Sequence, residues 1–340
     1  MSKERIMSGM RPTGKLHLGH YLGVLKNWVA LQNEYDCFYA IADWHALTTK
    51  FDDTQSLKDN VRNVVMDWIA SGIDPEISTV YLQSLVPETA ELHIYLSMIT
   101  PQNWVERDPT LKDMIKIVRG TEGTDEKPSN FCSYGLMGYP VLMSADILTF
   151  NAHCVPVGID QVAHIEITRD IVRRFNHIYK SDYLNEPGVK LTQVPLLKGI
   201  DGQKMGKSFQ NDIKISDSPE LTAKKIMQGI TDRSRIRKDD PGHPEECEVI
   251  YDYYKIFADE NLLKQVDDEC RNAKRGCADC KRQLASLINE HFAPIRAKRL
   301  ELEQNPKIID EIIIEGSKKA RVSASEVLNN VKNIVKMYVG

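Results

Sequence analysis

The order of predicted strands and helices indicates an α/β protein built on a parallel sheet. Short apolar runs that indicate buried strands fall at residues 5–10, 37–43, 79–83 and 155–158. Segments with helical apolar periodicity fall at residues 19–32, 56–71 and 161–179. This alternation predicts a parallel sheet whose ligands bind at the carboxyl ends of its strands. After residue 208 helical segments continue with few strand candidates, so we expect a helical second part.

Each element rests on a local pattern. The first strand leads into a glycine-bounded turn, and the helix after it carries apolar residues at helical spacing from Tyr21 to Val29. The helix at 56–71 ends at Gly72, close to a proline, and the helix at 161–179 carries a stripe of isoleucine and valine. Residues 119–130 have no apolar period and several turn formers, which predicts an exposed loop.

Length and composition bound the possible classes of protein. A chain of 340 residues favours two domains, and the change in character places their boundary near residue 209. No apolar run approaches the ~20 residues that cross a bilayer, and the first residues lead into no signal-peptide stretch, so we expect a cytoplasmic protein. The net charge of −4 neither indicates nor excludes nucleic-acid binding, because a local basic surface is sufficient.

The first motif places two histidines three residues apart at the mouth of a predicted helix. It is Gly9-Met10-Arg11-Pro12-Thr13-Gly14-Lys15-Leu16-His17-Leu18-Gly19-His20. A helix N-terminus attracts phosphate through its free N–H groups, and glycine allows close approach to the backbone. Imidazole can donate to a phosphate or ribose oxygen without carrying a permanent charge. A metal site or a surface pair is the alternative interpretation of this spacing.

The second motif is a glycine-rich loop with two lysines three residues apart. It is Gly199-Ile200-Asp201-Gly202-Gln203-Lys204-Met205-Gly206-Lys207-Ser208. Lysines on a mobile loop can close on a triphosphate and stabilise the charge that develops as pyrophosphate leaves. A solvated lysine pair is the alternative.

Four of the seven cysteines crowd into one short segment. They follow the spacing C-x22-C-x6-C-x2-C and are Cys247, Cys270, Cys277 and Cys280. Clustered cysteines with a closing C-x-x-C indicate a metal site, and four thiolates suit either Zn²⁺ or a [4Fe–4S] cluster. The spacing does not choose between them. The remaining three, Cys37, Cys132 and Cys154, are predicted to be buried small apolar residues.

The histidine and lysine motifs together resemble the HIGH and KMSKS signatures of class I aminoacyl-tRNA synthetases. The resemblance covers nearly the whole chain, and it is strongest to the tryptophanyl enzymes. The segments that carry this are the Tyr-Pro-Val-Leu-Met-x-Ala-Asp-Ile-Leu run at 139–148 and the Val-Pro-Val-Gly-x-Asp-Gln run at 155–161. The resemblance implies a Rossmann-like catalytic domain over residues 1–208 and an all-helical, anticodon-binding domain over 209–340. It also implies activation of L-tryptophan with ATP and Mg²⁺, transfer to tRNA(Trp), and a homodimer.

The resemblance further implies the roles of individual residues. It assigns the chemistry to His17, His20, Lys204, Lys207 and Lys112. It assigns ATP binding to Arg11, Pro12, Thr13, Gly19, His20, Gly158, Ile159, Asp160, Val194, Lys204, Met205, Gly206, Lys207 and Ser208. It assigns tryptophan binding to Asp146, Met143, Tyr139, Gln161 and Met7. Gly206 replaces the usual serine and Ile159 the usual glutamate, while Arg11 stands where many bacterial members have glutamine.

The specificity segment has a direct physical interpretation. Met143 and Asp146 are three residues apart and so share a helix face. An indole N–H only donates and therefore suits a carboxylate, while a thioether packs well on an aromatic face. An acceptor left unpaired would reject phenylalanine by about 10⁴–10⁵, so no editing domain is needed. A tyrosine hydroxyl could equally pair with Asp146, and the resemblance favours tryptophan. A core helix with a capping aspartate is the structural alternative.

Three other functions stay open at this stage, along with the identity of the metal. A tyrosyl enzyme is the close alternative, and an adenylyltransferase without tRNA is a more distant one. A paralogue that binds RNA or senses redox state without catalysis is the third. The cysteine spacing also occurs in tryptophanyl enzymes with a [4Fe–4S] cluster, so we expect iron–sulfur, with zinc as the alternative. We further expect the cluster to hold two helices beside a basic surface. That surface comprises Arg233, Arg235, Arg237, Lys238, Lys274, Arg275, Lys281 and Arg282.

Overall fold

Five parallel strands form one sheet in the computed structural model, which describes residues 3–119, 133–158, 161–191, 197–237 and 239–339. The strands are β1 (Arg5–Met10), β2 (Asp36–Ile41), β3 (Thr79–Leu82), β4 (Cys154–Val157) and β5 (Gly188–Leu191). Their order is β3-β2-β1-β4-β5, and β1 pairs with β2 along its whole length. Every pairing between these strands is parallel, so the predicted parallel α/β sheet is confirmed.

The helices fill the chain between and after the strands. In chain order they are α1 (Leu18–His20), α2 (Lys26–Leu31), α3 (Asp43–Lys50), α4 (Leu57–Ala70), α5 (Glu88–Ile99), α6 (Gln102–Glu106), α7 (Pro109–Arg119), α8 (Tyr134–Leu148), α9 (Val162–Tyr179), α10 (Pro219–Gln228), α11 (Ile250–Phe257), α12 (Glu260–Arg271), α13 (Cys277–Gln304) and α14 (Pro306–Ile334). The helical C-terminal part is therefore confirmed. Within the described ranges, no helix is both long and apolar enough to span a membrane.

The chain forms two compact units that are not continuous in sequence. The first comprises Met1–Gly14, Lys26–Gln193 and Asn305–Gly340, and the second comprises Lys15–Leu25 and Val194–Gln304. The boundary predicted between residues 208 and 209 lies inside the second unit. It differs because the lysine loop packs with helical residues that follow it, while the C-terminal helix α14 returns to the sheet of the first unit.

Helix α14 covers the edge strand β3 at very close range. Ser317 Oγ accepts a hydrogen bond of 3.1 Å from the backbone N–H of Leu82. A Cβ built on Gly316 would lie 1.8 Å from the carbonyl oxygen of Val80, so only glycine permits this approach. The exposed N–H groups of an edge strand invite pairing with other chains, and α14 removes part of that edge.

The core of the first unit lies on both faces of the sheet. Trp28 stacks on Tyr39 with ring centroids 4.4 Å apart, and Trp68 meets Trp28 edge-on. On the other side, Phe38 stacks on Phe150 at 4.2 Å. Aromatic pairs in these geometries add to the burial of apolar area, so the sheet is well packed from both sides.

Several elements were not predicted from the sequence: helices α5, α6 and α7, and the three described next. Helix α3 buries only Asp43, Ala46 and Thr48, so it shows no continuous apolar stripe, and it ends the predicted strand at 37–43 early. Strand β5 is four residues long and only half-buried, and its pairing with β4 defines it. Residues Tyr21–Leu25 form a π-helical turn rather than regular α-helix. The predicted loop at 119–130 lies, beyond Arg119, outside the described residues.

We predict that Gly316→Ala destabilises the protein by about 1–3 kcal/mol, because the added methyl group overpacks the contact between α14 and β3. The measurement is the midpoint of urea unfolding. Gly135→Ala is the matched control, since its Cβ would meet only Ser133 Oγ at 4.0 Å and alanine favours the helix. A Gly316→Ala midpoint equal to that of the wild type would contradict the proposed close contact.

Candidate active site

The sheet reverses its strand order between β1 and β4, and several predicted residues follow these two strands directly. Open α/β sheets bind ligands at this point, beyond the carboxyl ends of the strands. Arg11 follows β1, and its Nη1 lies 3.5 Å from Thr49 Oγ1. Pro12 is buried and Thr13 is exposed. Gly158 follows β4, and its carbonyl accepts a 3.0 Å bond from the N–H of Gln161, which caps α9.

The predicted indole acceptor, Asp146, is buried in α8 with two polar partners. Asp146 is only 3% exposed. Gln83 Nε2 donates to both carboxylate oxygens, at 2.8 and 2.9 Å. His45 Nε2 lies 2.9 Å from Oδ2. Neither partner was predicted from the sequence, although each follows shortly after a buried strand, the position where ligand-binding side chains concentrate.

The two methionines of the predicted tryptophan site belong to one apolar cluster. Met7 on β1 belongs to the buried cluster that includes Phe38 and Tyr81, and Met143 packs against the same cluster. The two methionines therefore contribute to one apolar surface. Flexible thioethers of this kind pack favourably on an aromatic face.

The hydroxyl of Tyr139 is engaged by Asp108 and His164, and its ring contacts His45. The hydroxyl donates to Asp108 Oδ2 at 2.9 Å and lies 3.2 Å from His164 Nε2. Burial and the Asp108 carboxylate raise the pKa of Tyr139, so it stays protonated. Burial opposes ionisation of Asp108, but hydrogen bonds from His164 and Tyr139 outweigh it and lower the pKa of that carboxyl. The Tyr139 ring stands edge-on to His45 at 6.2 Å, next to the partner of Asp146.

In the second unit, His17 and His20 form the predicted pair at a helix N-terminus. His17 is the N-cap of α1, and its Nδ1 accepts from the N–H of Gly19 at 3.1 Å. His20 Nδ1 accepts from the N–H of His17 at 3.4 Å, and the ring centroids are 3.8 Å apart. Because both Nδ1 atoms accept, this bonding pattern assigns the proton of each neutral ring to Nε2. Both rings therefore present an Nε2–H donor.

The two imidazoles are uncharged at neutral pH. Burial lowers the pKa of His17 to about 4, partly offset by Asp212 and reinforced by Lys207. Burial, the neighbouring His17 and Lys207 all lower the pKa of His20. The positive charge of Lys207 thus disfavours protonation of both rings. The site thus combines neutral donors with a cation from the lysine loop.

Backbone pairing holds the histidine segment in the second unit. The N–H of Leu18 donates to Ile213 O at 2.9 Å, and the N–H of Ile215 donates to Leu16 O at 3.0 Å. A Cβ on Gly19 would lie 3.0 Å from the His17 ring and 4.0 Å from Met205 Sδ. The methionine of the lysine loop thus lies beside the histidine motif, and glycine leaves the space that a nucleotide would need.

The lysine loop is organised by Asn211, which was not predicted. Asn211 Nδ2 donates to Asp201 Oδ1 at 2.8 Å and to Lys204 O at 3.1 Å, and its Oδ1 accepts from the N–H of Gly206 at 2.9 Å. The residue is 2% exposed, and its side chain fills the space over Gly199. The side chain of Lys204 is exposed and that of Lys207 is half-buried. An asparagine three residues past a lysine motif gives no periodic signal, so only the fold shows its role.

The remaining predicted ATP ligands divide into described and undescribed residues. Lys112 is an exposed residue of α7. Ile159, Asp160 and Val194 lie outside the described residues, as does Cys132 among the cysteines.

The four clustered cysteines lie together in the second unit. Cys270 is near the end of α12, Cys277 and Cys280 are in the first turn of α13, and Cys247 precedes α11. Burial raises the pKa of Cys247 and of Cys270, and neighbouring thiols of the set raise both further. Burial raises the pKa of Cys280 to about 12, again with contributions from Cys247 and Cys270. The fold thus gathers four half-buried thiols, and burial favours the protonated form of Cys247, Cys270 and Cys280.

The thiols are spaced more widely than one small ion would require. Over the described part of the chain, no three of their Sγ atoms lie within 4.8 Å of one another; Asp232, His243 and Glu246 form the group that meets this distance. Four thiolates on one tetrahedral zinc, with bonds of about 2.3 Å, are about 3.8 Å apart.

Several residues of the predicted basic surface in the second unit form ion pairs with acidic side chains. Lys274 lies 3.3 Å from Asp268, Arg282 pairs with Asp279, and Arg275 lies 2.6 Å from Glu269. Lys281 donates to a backbone carbonyl at 3.1 Å. Arg233 and Arg237 are exposed, whereas Lys238 is not among the described residues.

Two comparisons with known proteins agree with this geometry. The family model described as tRNA synthetases class I (W and Y) matches residues 2–293. The tryptophan–tRNA ligase of Aquifex aeolicus is 40% identical over 395 residues, covering 98% of this chain and 100% of that protein. The tryptophan–tRNA ligase of Thermotoga maritima is 43% identical over 335 residues, covering 98% and 99%.

The solved structures give the same result. A crystal structure of tryptophanyl-tRNA synthetase from Campylobacter jejuni, complexed with ADP and tryptophan, matches with a TM-score of 0.86 and 35% identity. The match covers 98% of this chain and 100% of that one. The similarity therefore extends over the whole fold and is not limited to isolated motifs. The chain belongs to the class I tRNA synthetases, and within them to the tryptophanyl-tRNA synthetases.

Proposed function

We propose that the protein activates L-tryptophan with ATP and transfers the activated amino acid to tRNA(Trp). The observation that carries this proposal is the buried Asp146 carboxylate held by Gln83 and His45, in a chain that also holds a neutral pair of histidines. The Campylobacter enzyme binds ADP and tryptophan, which are the ligands this arrangement suits.

The first reaction needs no general base. The tryptophan carboxylate attacks the α-phosphorus of ATP, the bond from that phosphorus to the bridging oxygen breaks, and pyrophosphate leaves with the electron pair. The protein contributes position and electrostatic stabilisation. Mg²⁺, which binds mainly through substrate phosphates, would share the triphosphate charge.

The histidines and lysines have complementary roles in that step. The Nε2–H donors of His17 and His20 bind phosphate oxygens without adding fixed charge to the empty site. Lys204 and Lys207 supply positive charge as negative charge moves onto the leaving pyrophosphate. Contacts that strengthen in the transition state raise kcat more than they lower KM. The second reaction transfers the tryptophanyl group from the adenylate to a terminal ribose hydroxyl of tRNA, with AMP leaving.

We infer that the four cysteines hold a [4Fe–4S] cluster. Thiolates are the ligands of such clusters, and the wide Sγ spacing suits a group larger than one zinc ion. The protonated thiols would lose their protons on binding, so loading depends on pH. Residues 209–304 would then present Arg233 and Arg237 to the anticodon arm of the tRNA.

A homodimer through the first unit completes the proposal. The exposed apolar residues Phe51 and Tyr134 border a groove of about 420 Å³ between α3, α5 and α8, and Met98 on α5 is 76% exposed. Apolar patches of this kind mark interaction surfaces. Charging of tRNA serves translation, which places the proposed activity in the cytoplasm.

The test of the proposed function is amino-acid-dependent exchange of labelled pyrophosphate into ATP, with all twenty amino acids and anaerobically purified protein. We expect exchange with tryptophan alone, because the indole N–H pairs with Asp146. Exchange with tyrosine would mean that Asp146 accepts a phenol hydroxyl instead. Absence of exchange with every amino acid would indicate a binding or sensing paralogue.

We predict that His17→Leu lowers kcat for exchange by about 10²–10³, since one preorganised donor to the phosphates is lost. The substitution should also change acid stability. The pKa of His17 is about 4 in the folded protein and near 6.5 unfolded, so wild-type stability falls as pH drops from 6.5 to 4. His17→Leu removes that contribution and should flatten the unfolding midpoint over this window. The exposed His177, changed to leucine, is the control; equal kcat in both variants would refute the assigned role.

We predict that anaerobically purified protein contains iron and sulfide in nearly equal amounts and that Cys277→Ser loses both, as measured by metal and sulfide analysis. Cys154→Ser, which changes a half-buried thiol outside the cluster, should keep them. One zinc per chain without iron would disprove the iron–sulfur proposal. A Cys277→Ser protein that loses iron but keeps its KM for tRNA would separate the cluster from anticodon binding.

A further inference from the structure

Gln83 occupies an unusual position between the carboxylate of the proposed tryptophan site and a helix N-terminus. It follows β3 and is 0% exposed. Its amide donates to both oxygens of Asp146, at 2.8 and 2.9 Å. Its Oε1 accepts from the N–H of Trp44 at 3.1 Å and from the N–H of His45 at 3.4 Å.

The contacts of Gln83 require an amide and no other group. Trp44 and His45 are in the first turn of α3, where backbone N–H groups have no partner within the helix. Ala42, the N-cap, has no side chain to accept them, so Gln83 Oε1 caps α3 from another element. The opposite side of the same amide must then point its Nε2–H groups at Asp146. A glutamate would place two carboxylates 2.8 Å apart, which forces them to share a proton.

Gln83 thereby fixes both partners of the acidic site at once. It holds Asp146 directly, and it holds the first turn of α3, which carries His45. His45 Nε2 in turn lies 2.9 Å from Asp146 Oδ2. A carboxylate offers about four lone-pair positions, and the two Gln83 bonds together with His45 use up to three of them. The remaining position is directional because its neighbours are held in place.

We propose that Gln83 is a positioning residue that directs Asp146 toward the indole N–H and so determines selection of tryptophan. The inference rests on the proposed function and adds to it the residue that makes Asp146 selective. Gln83 acts through Asp146 and does not itself contact the substrate. Its removal should therefore weaken recognition of the N–H group more than binding of the rest of the amino acid or of ATP.

The experiment compares tryptophan with 3-benzothienylalanine, which has sulfur in place of the indole N–H. Pyrophosphate exchange gives kcat/KM for each amino acid, and their ratio isolates the N–H contact. We expect Gln83→Glu to reduce the ratio by about 10- to 100-fold, the range for a lost hydrogen bond to a charged group. The KM for ATP should stay within about twofold, since the amide lies in the amino-acid site.

Two further variants provide a second test and a matched control. Gln83→Met preserves the size of the side chain without adding a carboxylate, and it should reduce the ratio as well, even if Gln83→Glu does not fold. Gln32→Leu is the matched control. Gln32 is another buried glutamine of the first unit, whose amide bonds Gly72 O at 2.9 Å and the N–H of Asp74 at 2.9 Å. It should lower the thermal midpoint and leave the ratio unchanged.

The outcomes separate the two levels of the argument. A reduced ratio in a folded Gln83 variant, with Gln32→Leu unchanged, supports the positioning role. An unchanged ratio, or an equal loss with both amino acids, overturns it and makes Gln83 a purely structural residue. If the wild-type protein shows no tryptophan-dependent exchange, the proposed function itself is wrong, whatever the variants do.

Discussion

The burial of one carboxylate constrains much of the first unit. Asp146 is almost inaccessible to solvent, and a buried carboxylate is costly unless hydrogen-bond donors replace its water. The fold supplies those donors from Gln83 after β3 and from His45 on α3, which follows β2. The parallel sheet brings these strand ends to the same side, so its topology is the condition for satisfying Asp146. In the proposed site the same cost would make binding selective, because a substrate without a donor leaves an acceptor position unpaired.

The second unit solves the opposite electrostatic problem. Several fixed cations in an empty triphosphate site would repel one another. Here the imidazoles of His17 and His20 are neutral, because burial lowers the pKa of each. Positive charge is left to the lysines, on a loop whose backbone is tied by Asn211. In the proposed mechanism the neutral donors would bind the phosphates, and the cationic loop would stabilise the transition state. This division agrees with a reaction whose charge moves toward the leaving pyrophosphate.

The spacing of the four cysteines in the sequence does not determine the distances between their thiols. The spacing brings four thiols into one region, and the structure agrees, since neighbouring thiols of the set raise the pKa of Cys247, Cys270 and Cys280. Their separation depends on how the end of α12 and the start of α13 meet, and the sequence carries no measure of that. The distances between the thiols therefore follow only from the folded chain, and the [4Fe–4S] cluster stays a proposal.

The amino-acid pattern alone predicts the parallel α/β class, the histidine pair at a helix start, the lysine loop, and Met143 with Asp146 on one helix. These depend on contacts within a few residues, which periodicity and motif spacing record directly. It did not show β5 or α3, whose residues have no clear apolar pattern, nor that α14 returns to cover β3. Gln83, His45 and Asn211 were also invisible, because their roles arise from hydrogen bonds to partners distant in sequence or to backbone atoms. These pairings follow only from the folded chain, because the role of a buried polar group depends on the donor or acceptor that the fold places against it.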